Sequence, residues 1–300
     1  MDRLELANRF DRERRRLRSV AYRVLGSLSD ADDALQEAWL RLQRADSDEI
    51  HDLQGWLTTV VARICLNVLR ERRTRPAEPL DGFLPEPIVS TDAGGDPEHE
   101  ALLADAVGIA LQVVLGSLNP AERLAFILHD MFAVPFGDIA ALIERSPEAT
   151  RQLASRARRR VRGAAPAPDS NVEHQRAVVD AYFSAAREGN LDALVAVLDP
   201  DVIARSHVHA GLTELRGADK VARAATLGVK FATSVRPALV NGTAGAVAFD
   251  GEVPVAILAF TVVSDRAVTI DIFNDRTLVS RLIWLKGVGP QPQSGRHEGP

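Results

Sequence analysis

Arginine stands in this chain wherever chemistry with an anion is possible. Between Arg145 and Arg162 there are seven arginines and a single acid, Glu148, in a chain of 300 residues whose formal net charge is −5. Ser146 and Pro147 supply a helix cap and a first helical residue, after which Ala149, Leu153, Ala157 and Val161 recur every four positions with Ala154 beside them. At about 100° per residue, Arg151, Gln152, Ser155, Arg158, Arg159 and Arg162 fall on the opposite side, and Arg156 adds to the same cationic set. One stripe packs and the other faces a polyanion. Guanidinium groups neutralise phosphates, while Arg151 or Gln152 near the helix start can reach base edges. The bland alternative is a solvated helix in an arginine-rich chain, since Lys220, Lys230 and Lys286 are its only lysines. The local excess of cations over an acidic background favours DNA.

The elements that must position this face are legible next to it. Phe136, Ile139, Ala140 and Ile143 mark the buried stripe of a preceding helix, and Glu144-Arg145-Ser146 has the length of a helix-turn-helix turn. Asn119-Pro120-Ala121-Glu122 starts the helix before that, with Asn119 as cap and Glu122 third, as in a capping box. Residues 4–75 carry helical periodicity throughout. There, Asp32, Asp33, Gln36 and Glu37 form an acidic and polar face on a helix ending near Leu42. A second long helix carries Trp56, Val60, Ile64 and Leu66 as its apolar stripe and ends in the basic run Arg70-Glu71-Arg72-Arg73-Thr74-Arg75. Taken alone, an acidic face and a basic helix end need be no more than solvation and helix-dipole matching.

The whole chain bounds these readings. Its length suggests two or three domains, and no apolar run is long enough to span a bilayer. The single cysteine, Cys65, lies in an apolar helical run; it forms no intramolecular disulfide and reads as a small core residue in a cytoplasmic protein. No motif calls for a metal or a cofactor. From Pro76 to Asp105 there are eight acids, five prolines and no lysine or arginine, so 76–105 reads as an extended linker between helical domains at 1–75 and 106–163. A second break follows at Gly163 to Ser170. Residues 171–286 form a third domain, and 287–300 read as a disordered tail.

The order of these parts resembles bacterial sigma factors of the extracytoplasmic-function (ECF) group. The residues that carry the resemblance are Asp30-Ala-Asp-Asp-Ala-Leu-Gln-Glu-Ala-Trp-Leu-Arg41, Gly55-Trp-Leu-Thr-Thr-Val-Val-Ala-Arg63 and Arg151-Gln-Leu-Ala-Ser-Arg-Ala-Arg158. Phe83-Leu84-Pro85-Glu86-Pro87 is similar to the Leu-Pro-Glu-Pro motif of the subgroup with a fused C-terminal SnoaL-like domain, with Phe83 where a Trp is usual and Asn67 where an Asp is usual. The resemblance implies two all-α domains, sigma region 2 and a region 4 helix-turn-helix, followed by an α+β SnoaL-like (NTF2-like) cone. It implies that Asp32, Asp33, Gln36, Glu37 and Leu40 dock on core RNA polymerase, with Trp39 adding apolar anchoring. The segment Asp48 to Gln54 and the start of the Trp56 helix would capture bases of the minus-ten promoter element, with His51 and Trp56 as the groups able to stack, although an indole within an apolar stripe more often packs in the core. Arg63, Arg70, Arg72 and Arg73 would meet promoter phosphates. Arg151, Gln152, Ser155 and Arg159 would read the minus-thirty-five element, and Arg158 and Arg162 its phosphates. The linker, through Phe83 to Pro87, would be regulatory, and its acidity would let it lie in polymerase channels built for nucleic acid.

From Asn171 the pattern changes to one or two helices carrying Val178, Val179, Tyr182, Phe183, Leu191, Leu194 and Leu198. Strand runs follow at 202–208, 238–240, 246–249, 253–263 and 267–273, with turns at Asn241-Gly242 and Asp250-Gly251. The expectation is a curved antiparallel sheet with room for an unknown small ligand, and the subgroup resemblance implies that this domain serves as a built-in regulator. His207, His209, Asp250 and Asp271 are the polar groups that an enzyme would use, but no second motif supplies a nucleophile or a metal. The C-terminal motif of the subgroup stands altered here as Asn274-Asp-Arg276. Two rival readings remain, a stand-alone DNA-binding regulator with a ligand-sensing cone and an enzyme with a helical appendage. The acidic docking face separates a sigma factor from the first of these.

Overall fold

The computed structural model describes residues 3–45, 50–74, 85–90, 108–164, 167–208 and 211–284. Its chain forms two compact units, one of residues 1–86 and 96–167, the other of 87–95 and 168–300.

In the first unit, α1 (Arg3–Leu25), α2 (Leu28–Arg44) and α3 (Leu53–Thr74) pack around Leu17, Val20, Leu25, Ala31, Leu35, Leu42, Leu57, Val61 and Leu66. The N-terminus of α2 is doubly capped. Ser27 Oγ accepts from the Asp30 amide, and Glu86 Oε2 accepts from the Leu28 amide at 2.8 Å, so the first turn carries a carboxylate at its positive end. Glu86 is held in turn by its own amide, which donates to Gly26 O, and by its carbonyl, which accepts from Tyr22 Oη at 2.7 Å. Pro85 and Glu86 are thus ordered parts of this unit, where a loose tether was expected. Phe83 and Leu84 lie outside the described residues.

The same unit contains α4 (Ile109–Ser117), α5 (Pro120–Phe126), a π-helical turn (Ile127–Met131), α6 (Phe136–Ile143) and α7 (Pro147–Ala164). The two helical segments, expected as separate domains, share one body. Arg123 joins them: its guanidinium is buried, donating to Leu115 O at 2.5 Å and to Val24 O, at the end of α1, at 2.6 Å. Burial lowers its pKa to about 10. Arg16 and Arg23 of α1 also lie over the ring of Phe132, at 5.8 and 4.9 Å.

In the second unit, α8 (Val172–Glu188), α9 (Leu191–Val197) and α10 (Ala218–Gly228) cover one face of a sheet. Its strands among the described residues are β1 (Val89–Ser90), β2 (Leu198–Val208), β3 (Gly211–Arg216), β4 (Ser234–Val240), β5 (Thr243–Asp250), β6 (Val253–Val263) and β7 (Arg266–Phe273), and α11 (Arg276–Trp284) follows. The strand order is β1-β4-β5-β6-β7-β2-β3. The sheet is mixed, because β2 runs parallel to β7 while every other pair is antiparallel. Tyr182, Phe183 and Phe260 meet edge to face with centroids 5.2 to 5.9 Å apart and fill the space between helix and sheet. The turn at Asn241-Gly242 has φ of 50° and 78°, the left-handed pair a two-residue hairpin needs. Asn241 also clamps the linker strand, its Oδ1 accepting from the Ile88 amide at 2.7 Å and its amide donating to Ile88 O at 2.8 Å.

Candidate nucleic-acid interface

The cationic face is carried by α7, and the local sequence places it. Ser146 caps the helix with its Oγ accepting from the Ala149 amide, and Glu144 makes the turn from α6 in a left-handed conformation, φ 58°. Arg151, Gln152, Arg159 and Arg162 are exposed, and Ser155 is half-buried. Two expectations shift. The deepest residues of α7 are Thr150, Ala154 and Ala157, one position round from the Ala149-Leu153 stripe, because Thr150 Oγ1 donates to Ser146 O and can go inside. Phe136 is not part of the buried stripe of α6. It is half-buried and stacks on His129 at 3.7 Å, while Ile139, Ala140, Leu142 and Ile143 pack.

Part of the arginine set is engaged within the protein. Arg158 makes a paired contact with Asp130, Nε at 2.8 Å and Nη2 at 3.0 Å. Arg156 Nε donates to Glu122 Oε1 at 3.0 Å, and Arg160 lies 3.5 Å from the other oxygen of Glu122. Glu122 is the third residue of the expected capping box. Its amide does donate to Asn119 Oδ1, but its buried carboxylate serves α7. Arg160, which the stripe argument passed over, completes a cationic rim of Arg156, Arg159 and Arg160 around that carboxylate.

On α2, Asp32, Asp33, Gln36 and Leu40 are exposed and Glu37 is half-buried, so the expected face exists. Asp32 holds Arg18 through both oxygens at 2.6 and 2.8 Å, and Glu37 holds Arg41 at 2.9 Å. Trp39, expected as an outward anchor, is half-buried against Phe10 at 5.2 Å. On α3, Arg63, Arg70 and Arg73 are exposed. Arg72 is half-buried and donates to Leu25 O and to the Asp30 carboxylate, so it is engaged within the protein. Trp56 and Val60 are half-buried, and the packed stripe runs through Leu57, Val61, Cys65 and Leu69. His51 is exposed at the start of α3, where Asp52 Oδ1 accepts from the Gly55 amide; residues 46–49, Asp48 among them, lie outside the described residues. The Cys65 thiol is fully buried, which pushes its pKa up to about 12 and removes it from thiolate chemistry.

Residues 9–75 match the family model for sigma-70 region 2, and residues 109–161 match that for sigma-70 region 4. The ECF RNA polymerase sigma factor SigJ of Mycobacterium tuberculosis is 40% identical over 249 residues, covering 79% of either chain. The chain is an ECF sigma factor. A probable ECF sigma factor, SigI of the same organism, is 36% identical over 202 residues, 67% of this chain and 69% of its own. The crystal structure of M. tuberculosis SigJ superimposes with a TM-score of 0.73 at 36% identity, covering 91% of this chain and 97% of that one. The likeness therefore runs past region 4 and takes in the α+β unit of this ECF sigma factor.

Of the four polar groups in this unit that an enzyme would use, Asp250 and Asp271 have described side chains. Asp250 is exposed at the end of β5, His209 lies outside the described residues, and the backbone of His207 pairs with Leu212 and Phe273. Asp271 is buried on the face of β7 opposite the helix-packed core, with Arg205 Nε 2.9 Å away, and burial outweighs that guanidinium and raises its pKa to about 6. Asp271 Oδ1, Arg205 Nε and Thr269 Oγ1 lack hydrogen-bond partners, so the pair is a tight contact of poor geometry. An open groove of about 410 Å3 runs between α8 and β4, lined by Asp180, Phe183, Ser184, Arg187, Val235 and Pro237. Among the described residues no cluster of His, Cys, Asp or Glu could hold a metal, and no helix is long and apolar enough to cross a membrane.

Proposed function

We propose that α2 docks this sigma factor on core RNA polymerase through Asp33, Gln36, Glu37 and Leu40, with Asp32 on the rim. In this reading α3 meets the minus-ten element and its phosphates through Arg63, Arg70 and Arg73, and α7 reads the minus-thirty-five element through Arg151, Gln152, Ser155 and Arg159. Arg156, Arg158 and Arg162 flank that contact and hold phosphates. For Arg156 and Arg158, DNA contact means exchanging or sharing the carboxylates of Glu122 and Asp130. The observation that carries the reading is the single chain's combination of an exposed acidic helix face with an exposed arginine face on a capped helix-turn-helix. A carboxylate row steers association with a basic surface, and an exposed leucine at its end supplies an apolar contact. The SnoaL-like cone acts as a built-in regulator, and the α8–β4 groove is its candidate seat for a small ligand.

Run-off transcription with purified core polymerase tests this directly. Full-length protein is expected to give specific transcripts from the cognate promoter, and their absence removes the reading. Replacing Asp33 and Glu37 together by Arg is expected to abolish co-purification with core enzyme at unchanged circular dichroism. Retention of the variant on core would remove the docking face.

A further inference from the structure

A chain of three flat groups runs from the π-helical turn to the DNA face. The wide turn at Ile127–Met131 ends with the Phe132 and Ala133 amides donating to His129 O and with Ala133 at φ 54°. That ending aims His129 back across the turn, where its Nδ1 lies 3.0 Å from Val134 O. The imidazole stacks on Phe136 with centroids 3.7 Å apart and planes 26° from parallel. Beyond it the guanidinium carbon of Arg151 stands 5.8 Å from the Phe136 centroid. Phe136 opens α6 and Arg151 lies in the second turn of α7, so the stack bridges the two helices of the helix-turn-helix on its exposed side.

Arg151 has little else to fix it. Its side chain is 57% exposed, and its ion pair with Glu148 at 3.3 Å joins two exposed groups on neighbouring turns, an arrangement that holds a long side chain only weakly. An aromatic face does more, because it orients the guanidinium plane while leaving its fork of N–H donors pointing outward. Bidentate reading of guanine through O6 and N7 needs that fork in one plane and one direction.

Resting on the assignment of Arg151 to the minus-thirty-five element, we propose that Phe136, braced by His129, is a positioning residue that aims Arg151 at a guanine of that element. Phe136 touches no base itself; it acts through the orientation of Arg151.

The test is transcription by holoenzyme from a promoter library randomised upstream of the start site, with the transcribed templates sequenced. The wild type, Arg151→Ala, Phe136→Leu and Phe136→Tyr are compared. Arg151→Ala is expected to lose the preference for guanine at one or two positions. Phe136→Leu keeps apolar bulk without a π face and is expected to lose about two- to fivefold of the same preference, at those positions only, with the others unchanged. Phe136→Tyr restores it. A uniform loss over all positions, or wild-type selection by Phe136→Leu, overturns the proposal and leaves the role of Arg151 standing. Wild-type selection by Arg151→Ala overturns the assignment of Arg151 as well as the stack. If the wild type enriches no upstream sequence, the promoter-reading function falls with both.

Discussion

Asp271 and Arg205 face each other from neighbouring strands with almost no access to water, and the contact is close without being well aligned. Removing one member of such a pair leaves the other charge buried. Here, however, burial already favours the neutral carboxyl. Asp271→Asn is therefore expected to lower the denaturation midpoint of the α+β unit far less than loss of a well-formed buried pair, which costs about 3–5 kcal/mol. Replacing both residues by apolar ones of similar volume should also cost little. The pH dependence has a definite sign. The carboxyl has its pKa raised on folding from 3.8 to about 6, so the folded state is the one that binds the proton. Its contribution is present below the lower value and is lost as pH rises through the upper one, the reverse of a salt-bridged surface acid. The wild type should show this loss and Asp271→Asn should not; parallel pH profiles of stability for the two would contradict it. Sequence spacing named Asp271 as a polar group of interest but could not pair it with Arg205, because that pairing depends on a parallel register between β2 and β7 set by neither residue's neighbours. Glu144 shows the complementary limit. The turn was legible in its length, yet its left-handed residue is a glutamate rather than the glycine or asparagine that would have announced it.

At the scale of elements, what could be read from the sequence was whatever has a local cause. Asn119, Ser146 and Pro147 were legible as helix starts because each satisfies or forgoes an amide within three residues, and α5 and α7 begin where they stand. β6 runs over the residues its apolar run marked. The elements β1, β3, α10 and α11 were not foreseen. The strand β3 lies at a sheet edge and lacks a clean alternation, and α10 begins after Gly217 at φ 95° with no side-chain cap. The π-helical turn has no sequence signature of its own. Gly245 marks a strand-level constraint of another kind. A β-carbon there would run into the Leu258 carbonyl oxygen of β6 and come within 2.7 Å of Val240 Cγ2. Since the obstacle is partly backbone, Gly245→Ala is expected to lower stability by about 1–3 kcal/mol, measured by denaturant titration. An unchanged midpoint would mean that β5 and β6 part without cost.

At the scale of the molecule, region 2 and region 4 share one body through a buried arginine, and the described residues of the 76–105 segment, 85–90, divide between the two units: Glu86 caps α2, while Val89 and Ser90 pair with β4. No composition rule could reveal this, since a proline-rich acidic stretch reads as tether whether or not it is captured. Ending the chain near Pro168 is expected to change transcript yield while leaving binding to core enzyme intact; equal output from the two lengths would argue against a regulatory cone. The shortened protein is not simply the longer one minus a domain, however. It leaves the backbone amides and carbonyls of Val89 and Ser90 without the edge they pair with, and Ile88 without Asn241. A nicked protein, cleaved in the 163–170 connection but still holding its C-terminal fragment by that short β-augmentation, would separate the two effects: loss of the covalent leash on one side, loss of the linker's seat on the other.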